Sequence, residues 1–174
     1  MLYAWERRDL GGVDAWSLRA HTGLARRLIL RLKFGANACI AEELAEIVTP
    51  LPEGLSFPPD TIVTWVPMPR LRRRERCVDH GRLLAEATAR RLRLLCRPLL
   101  IRRGEHAHTQ RGLSGARRRR NLAHAYAPLR PIDFPVLLVD DVLTTGTTAR
   151  RCIAALREAG ARQITVLTFT HSIH

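Results

Sequence analysis

A chain of 174 residues, 46% hydrophobic and 26% charged, is long enough for one domain with a buried core and too ordinary in composition for a disordered, fibrous or disulfide-scaffold protein. No apolar run approaches the roughly 18 residues of a membrane span. Residues 1–8 also lack the basic, apolar, small order of a secretory leader, so the expectation is a soluble, cytoplasmic protein. Lys and Arg number 29 against 16 Asp and Glu, a net charge of +13 that favours polyanionic partners such as nucleotides, pyrophosphate or nucleic acid. Lys33 is the only lysine, and arginine dominance of this kind also follows from codon composition.

The predicted elements begin with two helices. Residues 22–33 carry Leu24, Leu28, Ile29 and Leu32 at helical spacing, with Gly35 as the stop, and residues 36–48 form a second helix closed by Pro50 and Pro52. The first 50 residues are accordingly expected to form a helical cap. Residues 50–59 have loop chemistry. Residues 61–66 are a short β-prone run ended by Pro67-Met68-Pro69. Asp79 is a candidate N-cap for a helix reaching Arg93, with Leu83, Leu84, Ala87 and Leu92 on its inner face. Residues 97–101 read as a strand, residues 103–111 as a loop, and Ser114 as the cap of a short helix through Arg120. Pro135–Val139 is a continuous apolar strand of the kind buried on both faces of a parallel sheet. A helix follows over residues 147–159, closed by Gly160, then a last strand over residues 163–169. Strand alternates with helix from Thr61 onward. The fold class is therefore α/β: a single domain over 1–174, with a central, mostly parallel sheet over 60–170, helices on both faces and the helical cap at 1–50.

Cys39, Cys77, Cys96 and Cys152 are scattered with no C-x-x-C pair, a pattern of buried free thiols rather than of zinc or disulfides. His106, His108, His171 and His174 read as solvated loop or tail residues. Trp5, Trp16 and Trp65 are assigned to core or lid packing in preference to base stacking. The run Arg117–Arg120 reads as a solvated helix face, with a nucleic-acid backbone as the alternative.

The segment that carries chemistry is Val136-Leu137-Leu138-Val139-Asp140-Asp141-Val142-Leu143-Thr144-Thr145-Gly146-Thr147-Thr148. A buried strand delivers two adjacent carboxylates, then a hydroxyl-rich turn, then a helix N-terminus. In open parallel sheets ligands bind at the carboxyl ends of the strands, and a helix N-terminus offers free N–H groups and partial positive charge to a phosphate. Gly146 permits close backbone approach, and Thr144, Thr145, Thr147 and Thr148 add hydroxyl donors. Carboxylates beside a phosphate cradle would repel the phosphate unless they have another task. Accepting hydrogen bonds from a sugar cis-diol is such a task, and the acids could also stabilise positive charge developing at the anomeric carbon. The pattern describes a ribose 5-phosphate pocket. The G-x-x-x-x-G-K-[ST] nucleotide loop is absent.

Those residues resemble, position for position, the phosphoribosyl pyrophosphate (PRPP) signature of type I phosphoribosyltransferases. More of the chain is similar to one branch, the ComF/GntX-type proteins associated with DNA uptake in competent bacteria. Leu32-Lys33-Phe34-Gly35 resembles that branch's Leu-Lys-Phe/Tyr-x-Gly segment, one residue shorter. Val66-Pro67-Met68-Pro69 with Arg72, Arg73, Arg74 and Arg76 resembles its first loop. Thr109-Gln110, Gly112-Leu113-Ser114, Arg118 and Asn121, ending at Ala125-Tyr126, resemble its long flexible loop. The chain departs from the branch in three respects. It has no four-cysteine zinc finger, so no zinc is expected. It reads Cys77-Val78-Asp79-His80 where the family commonly has Gly-Phe-Asn-Gln. It also leaves little room after the last strand for a base-binding hood, so the helical N-terminus is the expected lid if there is one.

The resemblance implies Mg²⁺-dependent displacement of pyrophosphate from PRPP, with inversion, by an acceptor the sequence does not name. Asp140 and Asp141 would hold the ribose hydroxyls and Thr144, Thr145, Gly146, Thr147 and Thr148 the 5-phosphate. Pro67, Met68 and Arg70 would hold the pyrophosphate, and Thr109, Gln110, Arg118 and Asn121 belong to a loop that closes over the site. Mg²⁺ would enter with PRPP, without a ligand of its own from the protein. Two alternatives stand beside catalysis. One is a competence protein that binds single-stranded DNA and keeps the PRPP site as a sensor. The other is a nucleotide-salvage regulator that binds PRPP and a protein partner.

Overall fold

The computed structural model describes residues 4–18, 24–35, 38–69, 78–103 and 125–171. In chain order the elements are β1 (Trp5–Asp9), β2 (Asp14–Leu18), α1 (Leu24–Gly35), α2 (Ala38–Val48), β3 (Ile62–Trp65), α3 (His80–Leu92), β4 (Leu95–Cys96), β5 (Leu100–Arg102), β6 (Tyr126–Pro128), β7 (Val136–Leu143), α4 (Thr147–Glu158) and β8 (Ile164–His171). Six strands form one sheet in the order β1-β2-β8-β7-β3-β4, and β5 pairs with β6 in a separate antiparallel ribbon. Every neighbouring pair in the main sheet is parallel except β1 with β2. The expected α/β architecture is present.

The side chains of β7 sort the core into two layers. Leu137 and Val139 face α1, α2 and α3, where Ile29, Leu32, Leu44, Val48 and Leu84 are buried. Val136 and Leu138 face α4 and the β5–β6 ribbon, with Cys152, Ile153, Leu156 and Tyr126. Side chains of this size contribute about 1.5–3 kcal/mol each when fully buried, so β7 and its neighbour β8, the latter buried at all eight positions, anchor the sheet.

Helices are present at Leu24–Gly35 and Ala38–Val48, where they were expected, but residues 5–18 form a β-hairpin. Gly11 and Gly12 both have positive φ, +83° and +74°, the geometry of a tight hairpin turn. The Asp9 carboxylate accepts from their N–H groups at 3.3 and 2.7 Å. β2 then adds to the sheet beside β8, pairing Ala15 with Val166 and Ser17 with Thr168. A Gly-Gly pair between β-prone tryptophan segments is a hairpin signal.

Three smaller differences follow from packing. Of the strand expected at 97–101 only Leu100 and Ile101 lie in a strand, β5; Leu95–Cys96 pair earlier in the main sheet as β4, and Pro98, which has no N–H to continue a ladder, lies between the two. β7 continues past Val139 to Leu143 because Val142 and Leu143 find partners in Thr170 and His171. His171, read as a tail residue, is buried at the end of β8. Its Nε2 lies 3.0 Å from Glu6 Oε2 and its Nδ1 3.4 Å from Ser17 Oγ.

The tryptophans are packing residues. All three lie against the α1–α2–α3 layer. Trp5 Nε1 donates to Pro50 O (3.1 Å) and Trp65 Nε1 to Asp79 Oδ2 (3.3 Å). Cys152 is a buried free thiol whose pKa burial pushes up, and burial pushes Cys96 up to about 11. Cys39 is exposed rather than buried. Cys77, His106, His108, His174, the Arg117–Arg120 run and the helix expected after Ser114 lie outside the described residues.

Candidate functional site

The site forms where the carboxyl ends of β3 and β7 meet the ends of three helices. β7 carries Asp140 and Asp141 within the strand, so successive side chains leave on opposite faces. Asp141 points to the α1–α3 side. Its Oδ2 lies 2.7 Å from Lys33 Nζ, at the end of α1, and 3.2 Å from His80 Nε2, at the start of α3. Asp140 faces the other layer, where its charge acts on Tyr126 and Cys152. Its Oδ1 accepts from the Asp141 N–H at 2.9 Å.

This divergence sets the two acids apart electrically. Burial, with the Asp141 charge second, pushes Asp140 up to about 7. Burial also pushes Asp141 up, but the His80 hydrogen bond and the Lys33 ammonium outweigh it and hold Asp141 below the usual carboxylate range. The pair therefore consists of one carboxylate that is reliably ionised and one poised to titrate near neutrality.

A stability consequence follows. Asp140 binds its proton more tightly in the folded chain than in the unfolded one, so between its ordinary value of 3.8 and about 7 the folded state holds the extra proton. Stability must fall as pH rises through that window. Asp141 is shifted the opposite way: its contribution is present above the ordinary carboxylate range and lost on acidification below it. The melting temperature is expected to drop between pH 5 and pH 8, and Asp140→Asn to flatten that drop. Thermal melts across the range check it, and an unchanged slope in the variant would refute the assignment.

Beyond the acids the chain turns through Thr144, Thr145 and Gly146 into α4. Gly146 has φ +72°, and a Cβ there would lie 2.9 Å from Leu10 Cδ2 and 3.0 Å from Arg150 Nη1. The tip of the N-terminal hairpin thus packs on the back of the turn, and Arg157 Nη2 fastens it by donating to Gly11 O at 3.0 Å. Thr144, Thr145, Thr147 and Thr148 are exposed. Thr145 Oγ1 lies 2.9 Å from Thr147 Oγ1 and accepts from the Thr147 N–H at 3.4 Å. Glycine at the N-cap supplies no capping side chain, so the first-turn N–H groups of α4 face the turn with their partial positive charge. Arg150 Nη1 donates to Thr145 O at 2.9 Å and adds a cation to the turn.

On the other side of Asp141, the Val66 N–H donates to Val139 O at 3.3 Å, so Pro67, Met68 and Pro69 emerge from β3 beside the acids. The far end of that segment is held by the expected cap: Asp79 Oδ1 accepts from the Arg82 N–H at 3.2 Å. α3 packs closely against the end of β3, where a Cβ at Gly81 would make an ordinary contact with Val66 O at 3.5 Å. Arg70, Thr109, Gln110, Arg118 and Asn121 lie outside the described residues.

The structure adds Lys33, His80 and Arg150 to the residues singled out for their chemistry. Lys33 is the chain's only lysine, in the segment that resembles the ComF branch, and His80 is in the segment that departs from it. Both signals were present in the sequence, but neither said what the side chain touches.

No family model matches the chain. In sequence it is 36% identical over 112 residues to competence protein F of Haemophilus influenzae, covering 62% of this chain and 48% of that protein. It is 32% identical over 146 residues to DNA utilization protein YhgH of Escherichia coli O157:H7, covering 80% of this chain and 63% of that protein. The chain thus spans about half to two thirds of the length of these relatives. In structure it is similar to the glutamine PRPP amidotransferase of B. subtilis, with a TM-score of 0.52, 22% identity and coverage of 74% of this chain and 25% of that one. It is equally similar to an allosteric regulatory enzyme of purine biosynthesis, with a TM-score of 0.53, 23% identity and the same coverage. In sequence the chain is similar to ComF-type competence proteins, and its fold is phosphoribosyltransferase-like. Within that fold, the acid pair and hydroxyl-rich turn lie at the carboxyl edge of the sheet, and the C-terminal end of α1 reaches the same edge.

Proposed function

We propose that this protein binds PRPP across the end of β7 and acts in DNA uptake from the cytoplasm. The observation that carries the reading is the joining of two features in one strand–turn–helix: paired acids of opposite electrical character, and an uncapped helix N-terminus lined with exposed threonines. The 5-phosphate takes the Thr144–Thr148 turn. Asp140 and Asp141 flank the ribose and accept from its hydroxyls. The pyrophosphate lies toward Pro67, Met68 and Arg70, and the loop bearing Thr109, Gln110, Arg118 and Asn121 closes over it.

Among the described residues no group of three or more His, Cys, Asp or Glu is placed to hold a metal, and Asp141 is already paired with the Lys33 ammonium and the His80 ring. These residues fit a Mg²⁺ that arrives on the pyrophosphate oxygens better than one held by the protein. When bound, that ion would neutralise the leaving group. The chain's own residues orient the sugar, with Asp141 as the one carboxylate held ionised beside it, an arrangement suited to phosphoribosyl transfer.

Single-stranded DNA binding with PRPP as a signal is the second reading, favoured by the net charge of +13. Calorimetric titration of PRPP with and without Mg²⁺, beside ribose 5-phosphate, separates the readings. Mg²⁺-dependent binding tighter than that of ribose 5-phosphate is expected. No heat with PRPP, together with salt-sensitive retardation of single-stranded DNA, would reject the PRPP reading in favour of a DNA-binding protein.

A further inference from the structure

The two partners of Asp141, the Lys33 ammonium and the His80 ring, come from outside the strand–turn–helix. Lys33 reaches in from the last turn of α1, and His80 opens α3. Both converge on a single carboxylate oxygen, at 2.7 and 3.2 Å. A carboxylate offers about four acceptor positions, so Asp141 can keep these neighbours while taking further donors. The cluster is therefore a balanced one, poor in negative charge for a place where two acids adjoin. Asp140 reinforces this, because burial and the neighbouring charge favour its neutral form.

The direction in which the cluster lies gives it meaning. α4, whose N-terminus would take a sugar phosphate, packs on one face of the sheet; α1 and α3, which bring Lys33 and His80, pack on the other. A phosphoribosyl ligand anchored at Thr144–Thr148 must cross the end of β7, so its anomeric end arrives on the Lys33–His80 side. His80 Nδ1 is buried and has no hydrogen-bond partner among the described residues, an unmet need that a rearrangement around a ligand would satisfy. The Lys33 side chain is about a quarter exposed on a flexible four-carbon stem. It can turn from Asp141 to an anionic oxygen without losing its charge pairing.

We propose that Lys33 and His80 are specificity-determining residues that recognise the anionic group on the anomeric carbon, so that the site prefers the pyrophosphorylated sugar to ribose 5-phosphate. This rests on the PRPP reading above. A purely positional role, in which the two residues only aim Asp141, makes a different prediction, because the ribose hydroxyls that Asp141 would hold are common to both ligands.

The test is the ratio of the two affinities. PRPP and ribose 5-phosphate are titrated calorimetrically into the wild-type chain, Lys33→Met, Lys33→Arg and His80→Gln, each with its fold checked by circular dichroism. Loss of one charge-assisted contact should weaken PRPP by about 10- to 100-fold. Ribose 5-phosphate should change far less, so the ratio collapses in Lys33→Met, falls in His80→Gln and survives in Lys33→Arg. Equal weakening of both ligands, or no change in either, would overturn the proposal while leaving the PRPP site in place. A wild-type chain that binds neither ligand would overturn the underlying reading and this inference with it.

Discussion

The double variant Asp140→Asn, Asp141→Asn is expected to keep its fold and to lose at least about 100-fold in PRPP affinity. A hydrogen bond to a charged acceptor contributes about 1.5–3 kcal/mol, so removing two corresponds to roughly 10²- to 10⁴-fold. The fold should survive because the change relieves as much as it removes. Burial already penalises the ionised form of Asp140, and an amide of the same shape carries no such penalty. Asp141→Asn takes the counter-charge from Lys33, but that side chain is partly exposed and can reach water. The decisive comparison is a titration of wild type and variant with PRPP, beside matched melting curves. Unchanged affinity in a folded variant would mean the ligand lies elsewhere.

The largest effect on stability is expected from Gly160→Ala. Gly160 closes α4 with φ +99°, and a Cβ there would stand 2.7 Å from the backbone oxygen of Ile132. That oxygen cannot readily step aside, since the Ile132 N–H donates to Ala159 O at 2.8 Å and its side chain is buried against the α4 layer. Backbone strain in this region costs about 1–3 kcal/mol before the collision is counted, so a total of about 2–4 kcal/mol is expected. In a domain of this size that lowers the melting temperature by about 5–15 °C. Gly54→Ala is the control. Gly54 also has positive φ, +77°, but a Cβ there meets nothing within 4 Å, so its cost should stay near about 1 kcal/mol. PRPP affinity should hold in both, because Gly160 follows the end of α4 remote from the turn. Equal losses in the two variants would show that conformation rather than collision governs this corner.

Much of the arrangement was legible along the chain. The apolar run before Asp140 reads as a strand of the kind covered on both faces, and it lies between β3 and β8. Asp79 was readable as a helix cap because a side-chain oxygen just before an apolar-periodic segment has that task, and it accepts from Arg82 N–H. The hairpin at 5–18 was missed although Gly11-Gly12 marks it. Its strands are short, and their burial depends on β8, which lies some 150 residues away in sequence.

By itself the sequence determined the α/β class, the order of most helices and strands, and the place where acids, hydroxyls and a helix N-terminus meet. Those properties are local: periodicity, capping and turn chemistry act over a few neighbouring residues. Only the tertiary structure decided that Asp140 and Asp141 face different layers and differ in proton affinity, that the hairpin tip backs the Gly146 turn, and that Lys33 and His80 share Asp141. These are consequences of burial and of contacts between distant segments. The electrostatic character of a carboxylate is set by what surrounds it in space, and residue order alone does not specify those surroundings.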